Sequence, residues 1–195
     1  MKLKWKGKLS DENVFVYPDL PENAKPFSDS NSSWQMYLLI VPVLVMAYIG
    51  IQIRLKYVDG IMFSRGALFC GVALAIPFLF AHELLHAICC PKGSIVNVYW
   101  STAGISLIPT CPIKKQRYII MALMPTLVLG IIPFLSWLFI PAMDVTISSI
   151  IFAFSIGSLS VSIGDIFNVL IALKKMNRDS YLITSSLQIY YFDRS

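Results

Sequence analysis

An apolar run long enough to cross a bilayer, Gly66 to Cys90, carries three ionisable side chains, and that conflict restricts what this chain can become. The three are His82, Glu83 and His86, within Pro77-Phe-Leu-Phe-Ala-His-Glu-Leu-Leu-His-Ala87. Each is costly in hydrocarbon unless it is paired or functional. His82 and His86 are the only two histidines in the sequence. Residues four apart on a helix share a face, so both imidazoles can reach one cation. Glu83 is rotated off that face, close enough to handle a water there without being a ligand. The competing explanation is a chance pattern with hydrogen-bonded core histidines. Chance would scatter histidines, whereas this chain keeps both inside the pattern.

The pattern His-Glu-x-x-His is the sequence signature of zinc metalloproteases. Composition sets its context. The chain has 195 residues, 56% hydrophobic and 14% charged, with mean hydropathy +0.68. These values lie far from an ordinary soluble domain. They predict an integral membrane protein with one compact helical domain; with the apolar runs taken in order, the fold expected is all-α, with about four transmembrane helices and a small β-hairpin between the second and third. The net charge is +5, but the basic residues gather at the ends of apolar runs. That placement argues against a nucleic-acid partner and for the lipid bilayer. Cys70, Cys89, Cys90 and Cys111 show no CxxC spacing and read as reduced small hydrophobes, with acylation of Cys89 or Cys90 as the alternative. The first 33 residues hold no apolar core of a signal peptide, so the first helix is expected to serve as an uncleaved insertion signal.

Residues 1–33 read as a polar cytoplasmic tail, opening on Lys2, Lys4, Lys6 and Lys8, with a short strand at Asn13–Tyr17. A transmembrane domain over 34–175 follows. Its first helix runs from Trp34 to Ile53, with Trp34 and Tyr37 at headgroup level, and a turn at Asp59-Gly60 leads into the second, Gly66 to Cys90. Pro77 is expected to bend the second helix just before the histidines. Ile95 to Cys111 reads as a hairpin at the membrane surface or dipping into it. It either holds an extended peptide by strand addition or simply connects two helices. Arg117 to Ile140 and Thr146 to Leu173 are the third and fourth helices, joined by a turn at Pro141–Val145. The 176–195 tail contains a strand-like run, Leu187–Phe192. Lys25, Lys92, Lys114, Lys115, Arg117, Lys174, Lys175 and Arg178 flank one side; Arg54, Lys56 and Arg65 flank the other. The excess predicts a multi-pass cell-membrane protein with both termini cytoplasmic.

A catalytic zinc site generally takes three protein ligands. With no third histidine, the remaining ligand is a carboxylate or a thiolate. Besides Glu83, Asp165 is the carboxylate inside an apolar helix. Two crossings separate its helix from that of His82, so the two run in the same direction. Each residue lies equally far from its helix end, about 12 Å at about 1.5 Å per residue. Asp165 is therefore a candidate third ligand; a packing role, a proton relay or a bond to Asn168 are the alternatives. Zn2+ would bring a bound water to a pKa of about 7. Glu83 would act as general base and return the proton to the leaving amine. Asn168, one turn beyond Asp165, is a candidate for holding the substrate backbone or orienting the aspartate; a structural role is the alternative.

Three segments, Phe80-Ala-His-Glu-Leu-Leu-His-Ala87, Arg117-Tyr-Ile-Ile-Met-Ala-Leu-Met-Pro125 and Ser162-Ile-Gly-Asp-Ile166, carry a family likeness. The chain resembles the site-2 protease clan of intramembrane metalloproteases, and more closely the bacterial group described as putative zincin peptidases. The likeness covers about Gly66 to Phe192. It implies zinc on His82, His86 and Asp165, Glu83 as general base, and a hairpin between the first two core helices. Around the aspartate, Gly164-Asp165-Ile166 replaces the clan's usual Asn-Pro-Asp-Gly or Leu-Asp-Gly. The function expected is a membrane-embedded zinc metallopeptidase cutting a peptide or membrane-protein substrate near the cytoplasmic face. A non-enzymatic membrane protein, chaperone-like or a transport component, with a structural metal site is the alternative. An ion or proton carrier using Asp165 and the histidines is a third.

Overall fold

A computed structural model describes residues 1–10, 13–28, 33–58, 61–101, 104–140 and 144–193. In chain order these form β1 (Lys2–Lys8), β2 (Lys25–Pro26), α1 (Ser33–Leu38), α2 (Ile40–Arg54), α3 (Arg65–Ala75) and α4 (Phe78–Ile88). Next come β3 (Ile95–Ser101), β4 (Gly104–Pro109), β5 (Ile113–Lys114), α5 (Lys115–Pro125), a π-helical segment (Thr126–Ile131) and α6 (Ile132–Phe139). The chain finishes with α7 (Val145–Val161), α8 (Ile163–Lys175), β6 (Ser180–Ser185) and β7 (Gln188–Asp193).

The all-α expectation is wrong. Among the described residues the strands make two sheets, one three-stranded in the order β1-β3-β4 and one four-stranded in the order β2-β7-β6-β5. The expected hairpin exists as β3–β4, with Ser101 paired to Gly104. It is only part of a sheet, because β1 adds in parallel to β3. The lysine-rich start is thus an edge strand rather than a loose tail, and Asn13–Tyr17 is not a strand. The strand-like run near the end is β7, hydrogen-bonded to β6 on one side and β2 on the other.

The expectation of four simple spanning helices also needs correction. Two helices are long and apolar enough to cross a membrane, Gln35–Arg54 and Lys115–Phe139. The other two apolar runs are each broken into a pair of helices, α3 with α4 and α7 with α8, bent by 43° in both cases. Pro77 accounts for the first break, since it lacks the N–H that would continue the ladder. The turns expected at Asp59-Gly60 and across 141–143 fall outside the described residues.

Contacts divide the chain into two compact units. The first comprises Met1–Ser32, Leu79–Met124 and Ile166–Ser195. Its core gathers Phe27, Ala87, Val96, Tyr118, Ala172 and Leu182. Thus α4, α5, α8 and both sheets are fixed on one apolar centre, and Lys175 of α8 donates to the Phe27 carbonyl at 3.3 Å.

The second unit comprises Ser33–Phe78 and Pro125–Asp165. It is centred on Trp137, which has no exposed surface. Phe63 stacks on its ring and Phe152 lies tilted at 4.6 Å between centroids. Its indole N–H donates to Ser148 Oγ at 3.0 Å, which satisfies the polar end of a buried aromatic. The Arg54 guanidinium sits 5.0 Å from the same ring and donates to the carbonyls of Trp137 and Ile140. Helix α3 packs on α7 at Gly71, where a Cβ would come within 2.5 Å of the Ile150 carbonyl oxygen. Small residues at such crossings let apolar helices approach closely.

Candidate metal centre

Helix α4 carries His82, Glu83 and His86 on its second and third turns. Pro77 starts the helix afresh one residue ahead of it, so the motif lies on a short, straight segment instead of the middle of a long one. His82 is buried and His86 half-buried, while Ala87, on another face, is packed in the core of the first unit. That packing fixes the rotation of the helix, and with it the direction in which the imidazoles project.

The Nε2 atoms of His82 and His86 stand 3.2 Å apart. Nδ1 of His86 lies 2.8 Å from the main-chain oxygen of Met121 in α5. A carbonyl only accepts, so Nδ1 carries the proton, and in the neutral ring Nε2 is then the acceptor nitrogen. A metal-ligating histidine is commonly held this way by an acceptor on its far nitrogen.

Asp165 lies in the first turn of α8 and is half-buried. His82, His86 and Asp165 each offer a ligand atom within 4.8 Å of the others. Between the two histidines and Asp165 the chain runs through β3, β4, β5, α5, the π-helical segment, α6 and α7. Asn168 follows Asp165 by one turn on α8 and is half-buried. Glu83, also half-buried, lies beside His82 in the same turn of α4.

The donor set fits zinc. Two imidazole nitrogens bound at about 2.0–2.1 Å to a tetrahedral ion stand about 3.3–3.4 Å apart, close to the separation seen between the two Nε2 atoms. Two nitrogens and a carboxylate oxygen are a ligand combination used by catalytic zinc, and they leave a fourth position for water or substrate.

Residues 75–181 match the family described as "Putative zincin peptidase". The chain belongs to this family. The matched region spans more than half of the sequence and contains the histidines of α4, the Met121 carbonyl and Asp165. The family's name describes a zincin-type metallopeptidase and implies zinc as its metal. No curated protein and no solved structure matches this zincin-family chain.

Sequence reasoning did not find Met121. A main-chain oxygen leaves no trace in residue identity, and a methionine in an apolar helix reads as packing. The available signal was indirect: Pro125 lies four residues further on.

Proposed function

We propose that this chain is a membrane-embedded zinc metallopeptidase that hydrolyses a peptide or membrane-protein substrate near the cytoplasmic face. The observation that carries the reading is that His82 and His86 of α4 and Asp165 of α8 each offer a ligand atom within 4.8 Å of the others. In this reading both histidines and the aspartate hold the zinc. Bound there, zinc supplies Lewis acidity and makes a water at the open position acidic enough to act at neutral pH. Glu83 accepts the proton of the attacking water and delivers it to the leaving amine. Asn168 steadies the aspartate or the substrate backbone. A ligand drawn from a second apolar helix is the arrangement that the site-2 protease likeness implies, and it favours that subtype.

Two continuous apolar helices, and up to four spans if each bent pair counts as one, support a place in the bilayer. The distribution of lysine and arginine at the helix ends supports cytoplasmic termini and a multi-pass location in the cell membrane. The rival is a metal site that only stabilises the fold, and Glu83 separates the two. Glu83→Gln, purified in lipid nanodiscs and offered a membrane-anchored peptide library, should retain zinc and lose cleavage. Cleavage at the wild-type rate by that variant would overturn the assignment.

A further inference from the structure

We propose that Pro125 is a positioning residue for the metal centre: it frees the Met121 carbonyl from the helix ladder so that this oxygen can hold His86. The inference rests on the zinc site proposed above. In a regular helix the oxygen of residue 121 accepts from the N–H of residue 125. Residue 125 is proline and has no N–H. Its ring also crowds the carbonyl four residues back, tilting that oxygen off the helix axis. An oxygen so released must find another donor or be left unsatisfied in an apolar surrounding, which is costly. The donor it finds is Nδ1–H of His86, at 2.8 Å.

Three further features agree. Met121 is itself buried, so water does not readily compete for its main chain. Pro125 is fully buried, which removes the option of a proline kept for a solvent-facing kink. Helix α5 changes to a π-helical segment directly after Pro125, at Thr126, so the regular α-helical ladder ends at the proline. The consequence is chemical. One missing proton on the main chain of α5 fixes the tautomer and tilt of an imidazole on α4, and so aims Nε2 at His82 and the metal.

The test uses the full chain in nanodiscs. Zinc affinity is measured by competition with a chromophoric chelator, and the cobalt-loaded protein gives the visible ligand-field spectrum. Pro125→Ala restores an N–H to compete for the Met121 oxygen. It is expected to bind zinc about 10–100-fold more weakly, with an altered cobalt spectrum. Pro133→Ala, which removes a proline from the same apolar stretch, should match wild type in both. Ring nitrogen NMR adds a readout that does not depend on the variant folding. The His86 Nδ1 proton in wild type should exchange slowly with solvent. Equal affinity and spectrum for Pro125→Ala and wild type would overturn the inference, as would a freely exchanging Nδ1 proton in wild type. Both results leave the zinc site standing. A wild-type chain that takes up no zinc would overturn the proposed function, and this role for Pro125 with it.

Discussion

Nε2 of His82 and Nε2 of His86 face each other across 3.2 Å. The proton on His86 is committed to the Met121 carbonyl through Nδ1. In the neutral ring that leaves Nε2 as the acceptor nitrogen, and a gap this short between two imidazole nitrogens is bridged by a proton or a cation. The carboxylate of Asp165 within 4.8 Å makes a divalent cation the natural occupant.

Glu83 is expected to act on protons and not on metal. Glu83→Gln keeps the size of the side chain and removes its basicity. Zinc content should stay at the wild-type level, and kcat should fall by at least about a hundredfold, within the range typical for loss of a general base. Parallel metal analysis and turnover assays check this. Loss of zinc together with activity would make Glu83 a ligand instead.

Two glycines in the second unit should respond differently to the same change. A Cβ at Gly71 would meet the Ile150 main-chain oxygen at 2.5 Å, and backbone cannot step aside. A Cβ at Gly130 would meet Leu159 Cδ2 at 2.5 Å, which a rotamer change can relieve. Gly71→Ala should therefore cost about 1–3 kcal/mol by overpacking, and Gly130→Ala less. Thermal unfolding of both variants in the same detergent measures the difference.

Acid should loosen the β6–β7 hairpin first at its open end. The Ser180 hydroxyl and the Asn177 amide donate to the Asp193 carboxylate, and with Lys25 nearby they hold it below the usual carboxylate range. A carboxyl lowered in the folded state stabilises the fold above its unfolded pKa. That contribution is lost as pH falls through the lower, folded value. The protection of amides across β6 and β7, taken relative to the intrinsic exchange rate at each pH, should therefore fall on acidification below the ordinary aspartate range. Asp193→Asn should exchange faster at neutral pH and lose that acid dependence.

The legible part of this architecture was local. Helix periodicity placed both histidines on one face, and Pro77 marked the break before them. Equal depth along two parallel runs pointed to Asp165. The break at Ser162 gave no such sign, because no proline is there. Ser162 donates back to the Ser158 carbonyl at 3.0 Å, and Ser160 to that of Ile156 at 2.8 Å. Back-bonding of this kind bends helices without a distinctive residue. The sheets were hidden for a different reason. Strand β1 pairs with β3 across most of the first half of the chain, and its alternating lysines read as a solvated tail. Strands β2 and β5 are two residues each, too short for any periodicity to reveal.

The central claim is that one ion is shared by two helices, and metal content tests it most directly. Wild-type protein, Asp165→Ala and His86→Ala, each purified as a folded monodisperse sample and dialysed against trace zinc, would be compared by elemental analysis. The expected result is one zinc per chain in wild type and loss of stoichiometric zinc in both variants, with helical content unchanged. Asp165→Ala that holds zinc as tightly as wild type would contradict the claim.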